Sequence, residues 1–255
     1  MNTRLKIGMF GGLCVQQRDR VVTQFRTHKT GALLAYLAFY RNLAHPREEL
    51  IALLWPDSDL EQGRPSLSVA LSSLRHQLEP PGVPAGAVLI ASRATVQLNP
   101  ITCDTDVSDF NKAIQSATNA GTQADRERLI LSALDLYRGA FLPGYYDEWC
   151  LTERVRLAAT YLDALRVRVK HLVQGHDLSG ALDCVRRVVQ EDPLCEESNR
   201  DLMRLCVALG RPAAAFARAT KSAISASLWV AIGKKVGGSL YLLSRGCLCR
   251  RVSRC

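Results

Sequence analysis

The segment that decides the fold is residues 46–78, which read PREELIALLWPDSDLEQGRPSLSVALSSLRHQL. A proline followed closely by two glutamates is typical of a helix start, because proline fits the first turn and carboxylates suit its positive dipole. We therefore predict a short helix over residues 47–54, which Trp55-Pro56 would end. A longer helix is predicted over about 65–78, because five of its apolar residues fall on one stripe: Leu67, Ala70, Leu71, Leu74 and Leu78.

The flanking sequence supplies the other elements of a small α+β domain. Apolar and polar residues alternate in three upstream segments, which is typical of strands: 5–9, 13–15 and 21–22. Residues 30–41 predict a helix that is apolar nearly all round and therefore buried. Residues 88–90 and 95–98 bracket a short turn and predict a hairpin. These elements are typical of a winged helix-turn-helix, whose third helix enters the DNA major groove.

The polar face of the third helix would then read DNA. It carries Arg64 at the N-terminal end of the helix, then Ser68, Ser72, Ser73, Arg75 and His76. Arginine commonly reads guanine, whereas serine contacts phosphates or bases with little selectivity. Arg93 at the hairpin tip would reach phosphate or the minor groove. Phosphate contacts are also predicted for Arg26, His28 and Lys29. The alternative is an ordinary solvated helix face.

Residues from about 104 to 216 are predicted to be all helical. The predicted helices cover about 106–119, 124–138, 147–174, 178–190 and 196–209. The sequence HDLSGAL at 176–182 aligns with GRPAAAF at 210–216, a period of 34 residues. This period indicates tetratricopeptide-like helix pairs, which stack and expose a concave surface for a partner.

The positive charge is distributed unevenly along the chain. Residues 1–100 carry 11 basic and 7 acidic side chains, and residues 101–215 carry 14 and 17. Residues 216–255 carry 8 basic side chains and no acidic one. The net charge of +9 comes mostly from this tail, so it does not by itself predict a nucleic-acid partner.

Several classes of protein are not expected. No phosphate-binding GxxxxGK[ST] loop, G-x-S-x-G or HExxH motif is present, so we expect a non-enzyme without a cofactor. The nine cysteines are mostly scattered, and the cluster Cys247, Cys249 and Cys255 lacks the second half of a zinc site. With no apolar run long enough for a membrane span and no secretory signal, a cytoplasmic location is expected.

Motifs along the chain resemble the antibiotic regulatory protein (SARP-type) transcriptional activators. In the first half they are Gly11-Gly12-Leu13 with Arg18-Asp19-Arg20, KTGALLAYLA at 29–38, PREEL at 46–50, LWPD at 54–57 and SLSVALSSLR at 66–75. In the second half they are LYRG at 136–139, FLPGYYDEW at 141–149 and Glu153-Arg154. This resemblance implies an OmpR-type winged-helix domain over 1–100 and a bacterial transcriptional activator domain over 104–216.

The same resemblance implies a function. Such activators bind promoter direct repeats in double-stranded DNA and recruit RNA polymerase, typically at secondary-metabolite (antibiotic) biosynthesis genes. A homodimer on the DNA is a further expectation. The alternative is a truncated or decayed helical-repeat interaction protein with weakened DNA binding.

Two departures from the family pattern favour that alternative. Pro65 and Ser68 stand where such activators often have asparagine and arginine. The basic tail, residues 217–255, does not continue the helical repeat. We interpret it as the product of a frame shift near residue 216 or as a disordered extension.

Overall fold

The computed structural model describes residues 4–17 and 20–211, together with the short segments 241–242 and 250–251. The chain divides into two compact units, residues 1–164 and 165–255. The predicted order of elements, a mixed α/β part followed by helices alone, is confirmed over the described residues up to 211.

A four-stranded sheet lies at one end of the first unit. The predicted strands are confirmed as β1 (Leu5–Gly8), β2 (Cys14–Gln17) and β3 (Arg20–Val22), which pair antiparallel in sequence order. The sheet is completed by β7 (Cys103–Thr105), which pairs in parallel with β1. Strand β7 was not predicted, because three residues are too few to show a period of two.

The winged-helix elements follow in the predicted order. They are α1 (His28–Phe39), β4 (His45–Pro46), α2 (Arg47–Leu54), α3 (Leu60–Leu78), β5 (Leu89–Ala91) and β6 (Thr95–Leu98). The predicted hairpin is confirmed, with Leu89 opposite Leu98, and β4 extends it by pairing with β6. Helix α1 begins two residues before its predicted start, because the Thr27 hydroxyl caps it by accepting from the Thr30 amide.

Helix α3 begins at Leu60, so its predicted start at Pro65 was wrong by five residues. The Asp59 carboxylate caps the helix by accepting from the Gln62 amide at 2.8 Å. Pro65 therefore lies inside the helix, where its missing N–H removes one backbone hydrogen bond. The predicted apolar stripe is confirmed, because all five of its residues are buried: Leu67, Ala70, Leu71, Leu74 and Leu78.

The first unit continues with α4 (Asp106–Thr118), α5 (Gln123–Leu136) and the first part of α6 (Glu148–Gln174). The Asp106 carboxylate joins α4 to the end of β1, because it accepts from the amides of Met9 and Phe10 at 2.8 and 3.0 Å. Burial raises the pKa of Asp106, although these N–H donors partly oppose that effect.

The segment between α5 and α6 covers helix α1. Three of its carbonyl oxygens, those of Phe141, Leu142 and Tyr145, accept from the Arg154 guanidinium at 2.6–2.7 Å. Phe141 and Trp149 contact the Phe39 ring edge-on or tilted, at centroid distances of 5.5 and 5.8 Å. The FLPGYYDEW motif and Arg154 therefore hold the helix that precedes the helix-turn-helix.

The second unit contains α7 (Leu178–Glu191) and α8 (Glu196–Ala208), packed through their apolar faces. The 34-residue period recurs in the backbone at the two helix ends. The Asp177 amide donates to the Leu172 carbonyl at 2.9 Å, and the Arg211 amide donates to the Cys206 carbonyl at 2.8 Å. The residue before each amide has a positive φ, 60° and 69° respectively. Both ends therefore adopt the same left-handed helix cap.

The interpretation of residues 217–255, and the cluster Cys247, Cys249 and Cys255, lie outside the described residues. Only β8 (Tyr241–Leu242) and β9 (Arg250–Arg251) are described there, and they pair antiparallel. In the described part of the chain, no group of His, Cys, Asp and Glu side chains could hold a metal ion. No helix of that part is long and apolar enough to cross a membrane.

Candidate nucleic-acid interface

Two grooves lie beside α3, next to α2 and the β5–β6 hairpin. The first, here called the Arg64 groove, has a volume of about 570 Å³ and is lined by Pro46, Arg47, Glu48, Ile51, Arg64, Leu67, Ser68, Arg93 and Ala94. The second, the Arg75 groove, has a volume of about 430 Å³ and is lined by Arg47, Ser68, Leu71, Ser72, Arg75, His76, Glu79 and Ala91. Ser68 and Arg47 line both grooves, so the two form one continuous surface.

The structure brings six of the ten predicted contact residues to these grooves: Arg64, Ser68, Ser72, Arg75, His76 and Arg93. The other four line neither groove. Ser73 is half-buried on α3, Arg26 is exposed ahead of α1, and Lys29 is half-buried in the first turn of α1. The His28 ring stacks on Tyr145 with centroids 4.6 Å apart, so it already has a partner within the protein.

Arg47 is the groove residue that sequence analysis missed. Its amide donates to the Ala94 carbonyl and its Nε to the Ser92 carbonyl, both at 2.9 Å. These bonds join the start of α2 to the hairpin turn, 45 residues further along the chain. No local pattern in the sequence indicates this position, because it depends on the pairing of β4 with β6.

The hairpin turn presents Arg93 to solvent. The Ser92 hydroxyl oxygen accepts from the amides of Ala94 and Thr95 at 3.2 and 2.9 Å, which satisfies the turn locally. Arg93 is exposed between these anchored residues. The turn can therefore place this side chain against a phosphate without rearranging its backbone.

Arg64 is held only by a weak partner. Its guanidinium lies 3.0 Å from the Glu61 carboxylate, with side-chain exposures of 58% and 83%. Exposed pairs of this kind contribute about 0–1 kcal/mol, so a phosphate can displace the glutamate readily. The Ser68 hydroxyl donates to the Arg64 carbonyl at 2.9 Å. Its proton is therefore used within the helix, and its oxygen remains an acceptor.

At the other end of α3, Arg75 has a buried ionic partner, although its Nε makes no hydrogen bond. Its Nε lies 3.4 Å from the Glu79 carboxylate, whose side chain is 1% exposed, while the Arg75 side chain is 43% exposed. Arg75 thus combines a buried ionic partner with a surface that the Arg75 groove leaves open.

The charge of the grooves suits a polyanion. The Arg64 groove contains three arginines (Arg47, Arg64 and Arg93) and one carboxylate (Glu48). The Arg75 groove contains two arginines and one carboxylate. Both therefore carry net positive charge, which attracts a phosphate backbone from several ångströms away.

Comparisons with known proteins agree with this architecture. Residues 105–221 match the bacterial transcriptional activator domain family. Over 189 residues the sequence is 28% identical to regulatory protein AfsR of Streptomyces coelicolor, a match that covers 73% of this chain and 18% of that protein. The fold resembles the structure of Mycobacterium tuberculosis EmbR in complex with a low-affinity phosphopeptide, with a TM-score of 0.68 and 22% identity. That likeness covers 92% of this chain and 61% of the EmbR chain.

These matches confirm the predicted fold class, a winged helix-turn-helix followed by tetratricopeptide-like helices. They also confirm the resemblance to SARP-type activators that the sequence motifs carry. The matched region spans 18% of the length of the curated relative, regulatory protein AfsR.

Proposed function

We propose that the chain is a sequence-specific DNA-binding transcriptional activator. It binds direct repeats in a promoter, recruits RNA polymerase and controls a secondary-metabolite (antibiotic) biosynthesis gene cluster. The observation that carries the proposal is the convergence of Arg47, Arg64 and Arg93 on one groove beside α3. These arginines come from three separate elements, so only the folded domain brings them together.

In this mechanism the exposed face of α3 enters the major groove and the hairpin lies against the adjacent backbone. Arg47 and Arg93 contact phosphates and set the register of the helix, while Arg64, Ser72, Arg75 and His76 face the bases. Ser68 accepts a hydrogen bond rather than donating one, because its proton bonds to its own helix. The helical repeats contact polymerase or a second copy of the chain, and all of this takes place in the cytoplasm.

A second function, a helical-repeat interaction protein with weakened DNA binding, is favoured by two observations at the same surface. The Ser68 side chain turns back to its own helix, and Arg75 is partly neutralised by Glu79. Both reduce the number of unengaged donors that α3 offers to DNA.

An electrophoretic mobility shift separates the two functions. The full chain is titrated onto fragments from upstream of the neighbouring genes, at two salt concentrations and with unlabelled competitors. A sequence-specific activator should bind one labelled fragment, and only unlabelled DNA that carries the same repeat should displace that fragment. Arg64→Ala should then cost about 1–3 kcal/mol on that fragment, whereas Arg128→Ala, an exposed arginine on α5, should cost almost nothing. Equal, salt-sensitive retention of every fragment would favour the second function.

A further inference from the structure

Helix α3 carries an exposed apolar residue in the middle of its proposed DNA-reading face. Residues at 100° intervals place Pro65, Val69, Ser72 and His76 in one row, opposite the buried stripe that contains Leu67 and Leu74. All four residues of the row are exposed. The Val69 side chain is 51% exposed, and neither groove beside the helix is lined by it.

Folding gives little reason for valine at this position. A β-branched side chain loses rotamer freedom in a helix, and half of the Val69 surface stays in water. Its neighbours on the row and beside it are the small polar residues Ser68 and Ser72, which are also exposed. The helix therefore presents one apolar contact surrounded by hydroxyl groups.

The major groove of DNA offers a matching partner. The one apolar group on the edge of a standard base pair there is the 5-methyl group of thymine. Serine hydroxyls accept or donate to many base edges and discriminate little, so they leave the apolar contact to decide the base.

We propose that Val69 contacts the 5-methyl group of a thymine and makes that thymine part of each half-site. This inference rests on the proposed function, because it requires α3 to lie in the major groove. It assigns to Val69 the base preference that the serines of α3 cannot supply.

The test uses duplexes that the full chain retains from a random-sequence library. Each thymine of a retained duplex is replaced singly by deoxyuridine, which lacks only the 5-methyl group. At one thymine per half-site, the replacement should weaken binding of the wild-type chain about three- to fivefold, as expected for one buried methyl group. Val69→Ala should bind the thymine duplex more weakly and lose the difference between thymine and deoxyuridine.

Two further variants separate base contact from folding. Val69→Ile keeps an apolar β-branched side chain and should keep the sensitivity to deoxyuridine. Val155→Ala removes another exposed valine, on α6, and should leave both affinity and sensitivity unchanged. Circular dichroism of each variant establishes that its helices are intact.

The possible outcomes distinguish failure of this inference from failure of the proposed function. If retained duplexes bind equally well with thymine or deoxyuridine at every position, Val69 reads no methyl group although the chain reads DNA. If Val69→Ala weakens binding but keeps the wild-type sensitivity, another residue makes the contact and the inference is wrong. If no duplex is enriched from the library, the proposed function fails and this inference fails with it.

Discussion

Arg75 and Glu79 form an ion pair one turn apart at the end of α3, with 3.4 Å between Nε and the carboxylate. The same carboxylate accepts from three amides at the start of the hairpin, those of Gly86, Val88 and Leu89, at 3.1, 2.8 and 2.9 Å. One buried side chain thus joins the proposed reading helix to the hairpin. The carboxylate that positions an arginine of the proposed DNA-reading face therefore also fixes the hairpin.

Glu79→Ala should therefore lower the free energy of unfolding by about 2–4 kcal/mol, because it leaves buried amides without an acceptor. Urea unfolding followed by circular dichroism measures this loss. The matched control is Glu61→Ala on the same helix, whose exposed pair with Arg64 should contribute no more than about 1 kcal/mol. Equal losses in the two variants would show that the Glu79 bonds do not join the helix to the hairpin.

Arg47→Ala should weaken DNA binding without changing which sequence is preferred. If Arg47 neutralises one phosphate, its removal should reduce the slope of log K against log salt by about 0.9. Filter binding of the full chain at several salt concentrations gives this slope. Arg128→Ala, whose side chain is 76% exposed on α5 and lines neither groove, is the control and should leave the slope unchanged. A shift in base preference with an unchanged slope would mean that Arg47 reads a base instead.

Local features of the fold could be predicted from the sequence. The buried stripe of α3 and the start of α2 at Arg47 follow from short-range periodicity and from a proline beside two glutamates. The 34-residue repeat could likewise be read from residues 176–182 and 210–216, and the two equivalent helix caps share the same offset. Each of these features is encoded within one helix or one repeat.

Features that depend on distant pairing could not be predicted. Strand β7 forms because it pairs with β1, which lies about 100 residues earlier in the chain. Arg47 enters the site only because β4 pairs with β6. The start of α3 was missed for a local reason, because Pro65 is typical of a first turn while the cap that actually begins the helix is Asp59. The candidate site could therefore be predicted along α3 and at Arg93 in the hairpin turn, but not at Arg47 on α2.

Asp104 gives the first unit an acid-sensitive contact. Its carboxylate lies 3.1 Å from Arg41 and 3.2 Å from Arg4. Burial raises the pKa of Asp104, but the hydrogen bonds from the two arginines outweigh it and hold the pKa below its ordinary value of 3.8. The pKa of Asp104 is lower in the folded chain than in the unfolded chain. The stabilisation of the fold by these ion pairs is therefore complete above pH 3.8, and it is lost as the pH falls through the folded-state pKa.

Asp104→Asn should lower the free energy of unfolding by about 1–3 kcal/mol at pH 7, because the nearly buried Arg41 loses its carboxylate. The difference from the wild-type chain should narrow as the pH falls below 3.8, where the wild-type carboxylate becomes protonated. Urea unfolding midpoints over a pH series measure the difference. The exposed pair of Asp109 with Lys112 provides the control, and Asp109→Asn should change stability by less than about 1 kcal/mol. A difference that stays constant into acid would show that the charge of Asp104 is not what stabilises the unit.

Gly31 and Tyr145 limit how closely α1 and the segment before α6 can pack. A Cβ atom at Gly31 would collide with the Tyr145 hydroxyl, while the other nearest atoms would lie at an ordinary 3.4 Å. Gly31→Ala should therefore lower the free energy of unfolding by about 1–3 kcal/mol, although alanine is favoured over glycine within a helix by about 1 kcal/mol. In a Tyr145→Phe background the hydroxyl is gone, and the same substitution should become neutral or stabilising. Phenylalanine keeps the aromatic ring that stacks on His28, so α1 retains that contact.

The measurement is a double-mutant cycle of Gly31→Ala and Tyr145→Phe by thermal and urea unfolding. Gly121→Ala serves as the control, because no atom lies within 4 Å of a Cβ placed there. A coupling close to zero, with Gly31→Ala equally harmful in both backgrounds, would mean that the Tyr145 hydroxyl is not the obstacle. A large coupling would establish that the FLPGYYDEW motif requires a glycine opposite Tyr145, because the hydroxyl there leaves no room for a side chain on α1.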